Sequence, residues 1–381
     1  MFVLSFLESG CKSTAFFLHV QVFLKKNDIH TPFFYYLTRK QVKKEIKMKK
    51  ILGLGNALTD ILLQVSEDDL RELGFPKGSM NLISRDQAEQ IQYRFLSVRK
   101  RMVAGGSASN TINCIASLGG KAAFIGKIGN DEVGDFYRED MLKNGVKPIL
   151  LLSQDAMSGF SIVLVTPDGE RTFATYLGAA AELCADDISK DAFNGFDIFH
   201  IEGYLVQNHE LLEKSIRLAK EAGCMVSLDL ASYNVINENH AFLKGLVKQY
   251  VDIVFANEDE SFAYTHLNPE ESVQMIAEQC DIAVVKVGKN GSYVQQGSKR
   301  HHIGAITTSC TDSTGAGDYF AGGFLHALAD GFDIRRCAEI GTIAAGRVVE
   351  VVGTKLPDEQ WEEIRRICAL YRGFMQKYDR D

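Results

Sequence analysis

Thr311-Asp312-Ser313-Thr314-Gly315-Ala316-Gly317-Asp318, with the helix-period run Tyr319 to Asp330 behind it, sets how the rest of the chain is read. Gly315 and Gly317 let a backbone bend sharply and approach a ligand closely. The helix that follows points its first N–H groups and the positive end of its dipole at the same spot. Such a place suits an anion. Asp318 stands beside it, where a carboxylate repels phosphate unless it has a task. Phosphoryl transfer supplies one: Asp318 accepts the proton of a substrate hydroxyl, while the Gly315, Ala316 and Gly317 amides stabilise charge on the transferring group. A plain helix start, with Asp318 merely favouring the dipole, fits these eight residues equally well. The remaining sequence decides between the two.

The 381 residues are 46% hydrophobic and 24% charged, an ordinary globular composition with room for a sizeable core. A formal net charge of −7, without a dense basic patch interleaved with aromatics, points to small molecules rather than nucleic acid as partners. Cysteines 11, 114, 184, 224, 280, 310, 337 and 368 stand singly, with no C-x-x-C pair or zinc spacing. They read as reduced thiols of a cytoplasmic protein. Residues 1–47 differ from the rest, being rich in Phe and Lys, with short apolar runs at Phe2 to Leu7 and Ala15 to Leu24. Neither reaches the roughly 20 residues that span a bilayer, so no membrane partner is expected. Met48-Lys49-Lys50 before Ile51-Leu52-Gly53-Leu54-Gly55 looks like a natural protein start. Residues 1–47 are therefore expected to be a non-native or disordered leader, and residues 48–381 the folded domain.

From Met48 onward, short apolar runs alternate with helix-period segments. Strands are expected at Ile51 to Leu54, Ala122 to Ile125, Asp197 to Ile201, Met225 to Leu230, Asp252 to Ala256 and Ile282 to Val287. Helices are expected at Ser109 to Leu118, Asp135 to Asn144, about 209–222 and about 270–280. The alternation implies an α/β fold, a parallel sheet covered by helices on both faces, with ligands at the carboxyl ends of the strands. Two inserts break the rhythm, at about 60–84 and 150–178: Ile61 to Val65 with Met80 to Ile83, and Ser161 to Thr166 turning through Pro167-Asp168-Gly169 into Arg171 to Tyr176. Without helical segments of their own, they suit a small projecting sheet, either a lid or a surface ornament.

Polar motifs recur at the strand ends. Gly53-Leu54-Gly55-Asn56-Ala57-Leu58-Thr59-Asp60 lacks the third glycine of a dinucleotide fingerprint. Its Asn56 and Asp60 suit paired sugar hydroxyls, or simply a turn. Gly105-Gly106-Ser107-Ala108-Ser109-Asn110 opens a helix with room for close ligand approach and an Asn at the same edge, or with Ser107 or Ser109 as a cap. Asn257-Glu258-Asp259-Glu260 crowds three acids at a strand end, which suits magnesium held through water by Glu260 or an exposed first turn. Lys286-Val287-Gly288-Lys289-Asn290-Gly291 suits the polyphosphate or adenine side of a nucleotide, or a hairpin with its lysines in solvent.

Taken in order, Gly55-Asn56 with Asp60, Gly105-Gly106-Ser107 with Asn110, Asn257-Glu258-x-Glu260, Gly288-x-x-Gly291 and Asp312 to Asp318 resemble the ribokinase-like, or PfkB, carbohydrate and nucleoside kinases. The resemblance covers Met48 to about Gly353, and the Gly169-Glu170-Arg171-Thr172 hairpin looks like the bacterial proteins grouped with adenosine kinases. It implies a three-layer αβα sandwich with a β-sheet lid that often makes a dimer contact. By the same resemblance Asp318 is the catalytic base, and Gly315, Ala316 and Gly317 form the anion hole. Asn56, Asp60, Gly105, Gly106 and Asn110 would hold the acceptor. Asn257 and Glu260 would serve ATP and Mg2+, with Lys286, Gly288 and Gly291 on the nucleotide side. A potassium ion is expected at Asp312, with carbonyls near Val352 and Gly353. Two departures stand out: Ser313 replaces a commoner Thr, and Lys286 stands where many sugar kinases have Thr. Arg171 reads as a solvated hairpin residue, or as one reaching over the site to a phosphate. The expected activity is ATP-dependent phosphorylation of a primary hydroxyl on a sugar or nucleoside. The competing readings are a non-catalytic sugar- or nucleoside-binding protein and a nicotinamide-dependent oxidoreductase.

Overall fold

The computed structural model describes residues 48–98 and 100–378. The leader expected at 1–47 lies outside them. In chain order the strands are β1 (Lys50–Leu54), β2 (Leu58–Gln64), β3 (Met80–Leu82), β4 (Arg101–Gly105), β5 (Lys121–Ile128), β6 (Lys147–Leu152), β7 (Gly159–Val165), β8 (Arg171–Tyr176), β9 (Ile198–Glu202), β10 (Met225–Asp229), β11 (Ile253–Asn257), β12 (Ile282–Lys286), β13 (Ser292–Gln296) and β14 (Lys299–Ile303). The helices are α1 (Glu67–Leu73), α2 (Arg85–Arg94), α3 (Ser107–Ser117), α4 (Glu132–Lys143), α5 (His209–Glu221), α6 (Tyr233–Tyr250), α7 (Glu258–Thr265), α8 (Pro269–Ala277), α9 (Ala316–Ala329), α10 (Ile334–Val348) and α11 (Asp358–Tyr378). No helix among the described residues is long and apolar enough to cross a membrane.

The large sheet has nine strands in the order β14-β13-β12-β11-β10-β9-β1-β5-β6, parallel from β12 to β6 and antiparallel at β13 and β14. Its parallel strands other than the edge strand β6 are buried on both faces, so they read as continuous apolar runs rather than alternating ones. Leu52, Phe199 and Val226 pack with Leu212 and Ile216 of α5 and Leu243 of α6 on one side. On the other, Phe255 of β11 meets Phe324 of α9 edge-on at 5.4 Å. Gly322 and Gly323 bring α9 against its neighbours: a Cβ there would stand 2.6 Å from Cys114 of α3 and 2.9 Å from the Ile340 carbonyl of α10. These contacts place the N-terminus of α9, and the glycine-rich turn before it, beside the start of α3.

All six expected strands and four expected helices are present, with shifted ends. Asp131, whose Oδ1 accepts from Gly134 N at 2.8 Å, starts α4 at Glu132 rather than Asp135.

The inserts form a second sheet of five strands, β3-β8-β7-β2-β4, which takes in Arg101–Gly105 as well as the expected segments. Lys147–Leu152 instead pairs with β5 at the edge of the large sheet. The inserts do have helices of their own, contrary to expectation. Leu70 of α1 and Ala88 and Ile91 of α2 pack on Ile61, Ile162 and Ala174 of the small sheet. Both helices open with capping boxes, Ser66 with Asp69 and Ser84 with Gln87, a signal present in the sequence.

Candidate active site

Five neighbouring parallel strands end in polar residues along one edge of the large sheet: Lys286 on β12, Asn257 on β11, Asp229 on β10, Glu202 on β9, and Asn56 just past β1. Register makes Asn257 and Lys286 partners, and likewise Glu202 and Asp229. The carboxyl edge of such a sheet is where ligands bind. The α9 turn faces this edge. Gly315 takes φ +75°, and a Cβ on it would stand 2.6 Å from Thr354 Cγ2, so only glycine fits. α9 has no side-chain cap. Ala316 N–H bonds to Ser313 O at 3.2 Å, whereas the N–H groups of Gly315, Gly317 and Asp318 find no protein partner among the described residues. Of the three amides expected to form an anion hole, those of Gly315 and Gly317 are thus open, and that of Ala316 is taken by the Ser313 carbonyl.

Asp318 lies in the first turn of α9. Its Oδ1 accepts from Ser107 Oγ at 2.7 Å and its Oδ2 from Asn110 Nδ2 at 2.9 Å. Ser107 is therefore not the cap of α3, whose N-terminus carries no side-chain cap. Burial pushes the Asp318 carboxyl up to about 7, and the Asp229 carboxylate adds to that. The two side-chain hydrogen bonds and the Lys286 ammonium oppose the rise without cancelling it. A carboxylate poised there takes a proton readily near neutral pH, as a general base requires.

The expected acceptor residues gather beside it. Asp60 lies against Gly105, where a Cβ would stand 2.7 Å from its Oδ2, and Gly106, at φ +90°, lets the Asn56 carbonyl come close. Glu202, which sequence reasoning missed, ties the group together. Its Oε1 accepts from Asn56 N (2.9 Å) and Nδ2 (2.7 Å), and its Oε2 from Ala108 N (2.8 Å) at the start of α3. A single Glu ending an apolar strand carries no local pattern that marks it.

Asn257 and Glu260 form a reciprocal capping box at α7: Glu260 N donates to Asn257 Oδ1, and Asn257 N and Nδ2 donate to the two Glu260 oxygens at 2.7 Å. Glu258 and Asp259 are exposed, as a solvated first turn would have them, but Glu260 is only 4% exposed. Burial, with help from Asp229, raises its carboxyl to about 7 against the pull of Lys286. Among the described residues no group of three His, Cys, Asp or Glu is placed to hold a metal. A hydrated Mg2+ that keeps its waters and leans on one carboxylate and on phosphates still fits this surplus of negative charge.

Lys286 is not in solvent, as the hairpin reading had it. Its Nζ donates to Asp229 Oδ2 at 3.0 Å. Lys289 is exposed on the hairpin. Gly288 and Gly291 form the β12–β13 turn, where a Cβ on Gly291 would overlap the Ile303 carbonyl of β14. No hydrogen bond among the described residues ties that turn to Asp318.

Arg171 also departs from the solvated reading. From β8 of the small sheet its Nη2 reaches Asp312 Oδ2 at 2.7 Å, the two side chains being 7% and 6% exposed. Asp312 Oδ2 also accepts from Gly353 N at 2.7 Å, and its Oδ1 from Thr314 N at 3.0 Å. Both oxygens thus face donors, and a guanidinium stands where a potassium ion is expected. This donor set does not fit a bound K+. Burial pushes Asp60, beside this pair, up to about 7, with Arg171 opposing and Asp312 adding to the shift.

Comparison with known proteins follows the same lines. A family model described as pfkB family carbohydrate kinase matches residues 82–361. An uncharacterized sugar kinase of Archaeoglobus fulgidus is 26% identical over 250 residues, covering 63% of this chain and 96% of the relative. Adenosine kinase of Saccharomyces cerevisiae is 25% identical over 335 residues, covering 81% and 97%. Among solved structures, a probable sugar kinase protein from Rhizobium etli superposes with a TM-score of 0.76 at 32% identity, covering 84% of this chain and 98% of that one. Adenosine kinase from Sinorhizobium meliloti gives 0.75 at 32%, covering 84% and 99%.

Proposed function

The chain belongs to the pfkB family of carbohydrate kinases, and from that membership we propose that its site moves the γ-phosphoryl group of ATP to a primary hydroxyl of a sugar or of a nucleoside's ribose. It is a kinase, a phosphotransferase with an alcohol group as acceptor. The observation that carries the finer reading is Asp318: a carboxylate raised to about 7, aimed by Ser107 and Asn110, one residue from the open amide of Gly317.

Asn56, Asp60, Gly105, Gly106 and Asn110 orient the acceptor, with Glu202 holding the Asn56 turn against the start of α3. Asp318 takes the hydroxyl proton as the acceptor oxygen bonds to the γ-phosphorus. The bond from that phosphorus to the bridging oxygen breaks, and its electron pair leaves with ADP. The open N–H groups of Gly315 and Gly317 stabilise charge on the transferring oxygens. Glu260 would hold a hydrated Mg2+, which would supply charge neutralisation when bound. Asn257 and the Lys286 to Gly291 segment serve the nucleotide side. No step is assigned to potassium.

The small sheet acts as the lid, tied to the anion turn through Arg171 and Asp312. Met80 and Leu82 on its edge strand β3 are 55% and 62% exposed, which suits a homodimer contact through the lid. Sedimentation equilibrium checks it, with Leu82→Lys expected to shift the mass towards monomer.

The test of function is ADP release across nucleosides, pentoses, hexoses and sugar acids. Response to adenosine alone identifies a nucleoside kinase, and better response to ribose or fructose a sugar kinase. ADP release with none of them contradicts the reading.

A further inference from the structure

The Lys286 ammonium is more than a counter-ion for a buried acid. It ends β12, is 14% exposed, and makes one hydrogen bond, to Asp229, although an ammonium has three N–H donors. The other two have no bonded acceptor among the described residues. Nζ stands 3.0 Å from where a Cβ on Gly317 would be, so it lies against the glycine whose open amide forms the anion hole. The carboxylates of Asp229, Glu260 and Asp318 all act on this ammonium, and together they outweigh the burial that works against its charge. At 14% exposure water can take those two donors, and a phosphoryl oxygen arriving over Gly317 can replace it.

We propose that Lys286 is a catalytic residue whose ammonium rests on Asp229 in the free protein and turns to an oxygen of the transferring phosphoryl group when the donor binds over Gly317. The inference rests on the phosphotransfer reading above and deepens it. Lys286 keeps its proton throughout. It contributes charge alone, complementing the neutral amides of Gly315 and Gly317, while Asp318 receives the acceptor's proton. A lysine suits this better than an arginine, being a compact charge on a flexible stem that can exchange one oxygen for another.

Lys286→Met alone leaves Asp229 buried without its partner and is prone to misfold, so the informative comparison is Asp229→Asn against Asp229→Asn/Lys286→Met. In that pair the Asp229 carboxylate is already gone before the lysine is removed, and in Asp229→Asn the Glu260 and Asp318 carboxylates still act on the ammonium. The double variant is expected to turn over about 100-fold more slowly than Asp229→Asn, the loss typical of one donor to a transition-state oxyanion. It is also expected to bind ADP as Asp229→Asn does, while losing affinity for ADP with Mg2+, aluminium fluoride and acceptor, a mimic of the transferring group. A double variant within about tenfold of Asp229→Asn in turnover, or equal to it in binding the aluminium fluoride complex, overturns the role of Lys286 and leaves the kinase reading intact. Wild-type protein that releases no ADP with any acceptor overturns both.

Discussion

At Asp318 burial and hydrogen bonding pull in opposite directions, and burial wins. Two donors, Ser107 and Asn110, aim the carboxylate without holding it ionised, so it titrates at about 7. As a base it must be unprotonated. The prediction is that kcat/KM rises with pH through about 7 and levels above, and that Ser107→Ala/Asn110→Ala moves this limb to higher pH by removing bonds that favour the charged form. A pH–rate profile flat between 6 and 8 contradicts it. Asp318, Asn110 and the glycines were legible in the sequence because each sits in a short stretch whose spacing carries the chemistry. Glu202 and Asp229 were not: each is a lone acid ending a strand, and only sheet register brings them to the site. Lys286 was singled out, but whether it pointed to solvent or inward depended on Asp229, 57 residues away.

Among the elements, β8 and the Asp312 turn are joined by one buried ion pair. Removing one partner of such a pair strands the other charge, at a cost of about 3–5 kcal/mol. Arg171→Ala is therefore expected to lower the melting temperature sharply, and Arg171→Ala/Asp312→Asn to recover part of the loss. Because the guanidinium stands where a monovalent cation is expected, initial rates in potassium and in sodium are expected to agree. Potassium activation of the wild type contradicts that account of Asp312. β1, β5, β9, β10, β11 and β12 with α3, α4, α5 and α8 were readable from apolar runs and caps, whereas α6 and α7 were not expected. α1 and α2 were missed although their capping boxes are in the sequence, because they are short and interrupt a β pattern. β14 was missed because Lys299-Arg300-His301-His302-Ile303 has no apolar alternation, as befits an edge strand kept from pairing further.

On the scale of the whole molecule, three acids of the candidate site have the same bias. Asp60, Glu260 and Asp318 are each pushed up to about 7, chiefly by burial. An acid whose folded value lies above its unfolded one stabilises the fold fully below the ordinary value near 4, and that contribution is lost as pH rises through about 7. The ligand-free protein is thus expected to melt at lower temperature at pH 8 than at pH 6.5, with the slope reduced in Asp318→Asn. A melting temperature that rises over that interval contradicts it. The architecture followed from the order of motifs along the chain. The acceptor did not, because pocket shape is set by two sheets whose facing residues come from distant segments.

The most direct measurement is single-turnover transfer of labelled γ-phosphate by Asp318→Asn, with ADP binding followed in parallel. Asp318 acting as the base predicts a chemical step slower by about 10²–10⁴-fold with nucleotide affinity unchanged. Transfer at close to the wild-type rate would contradict it.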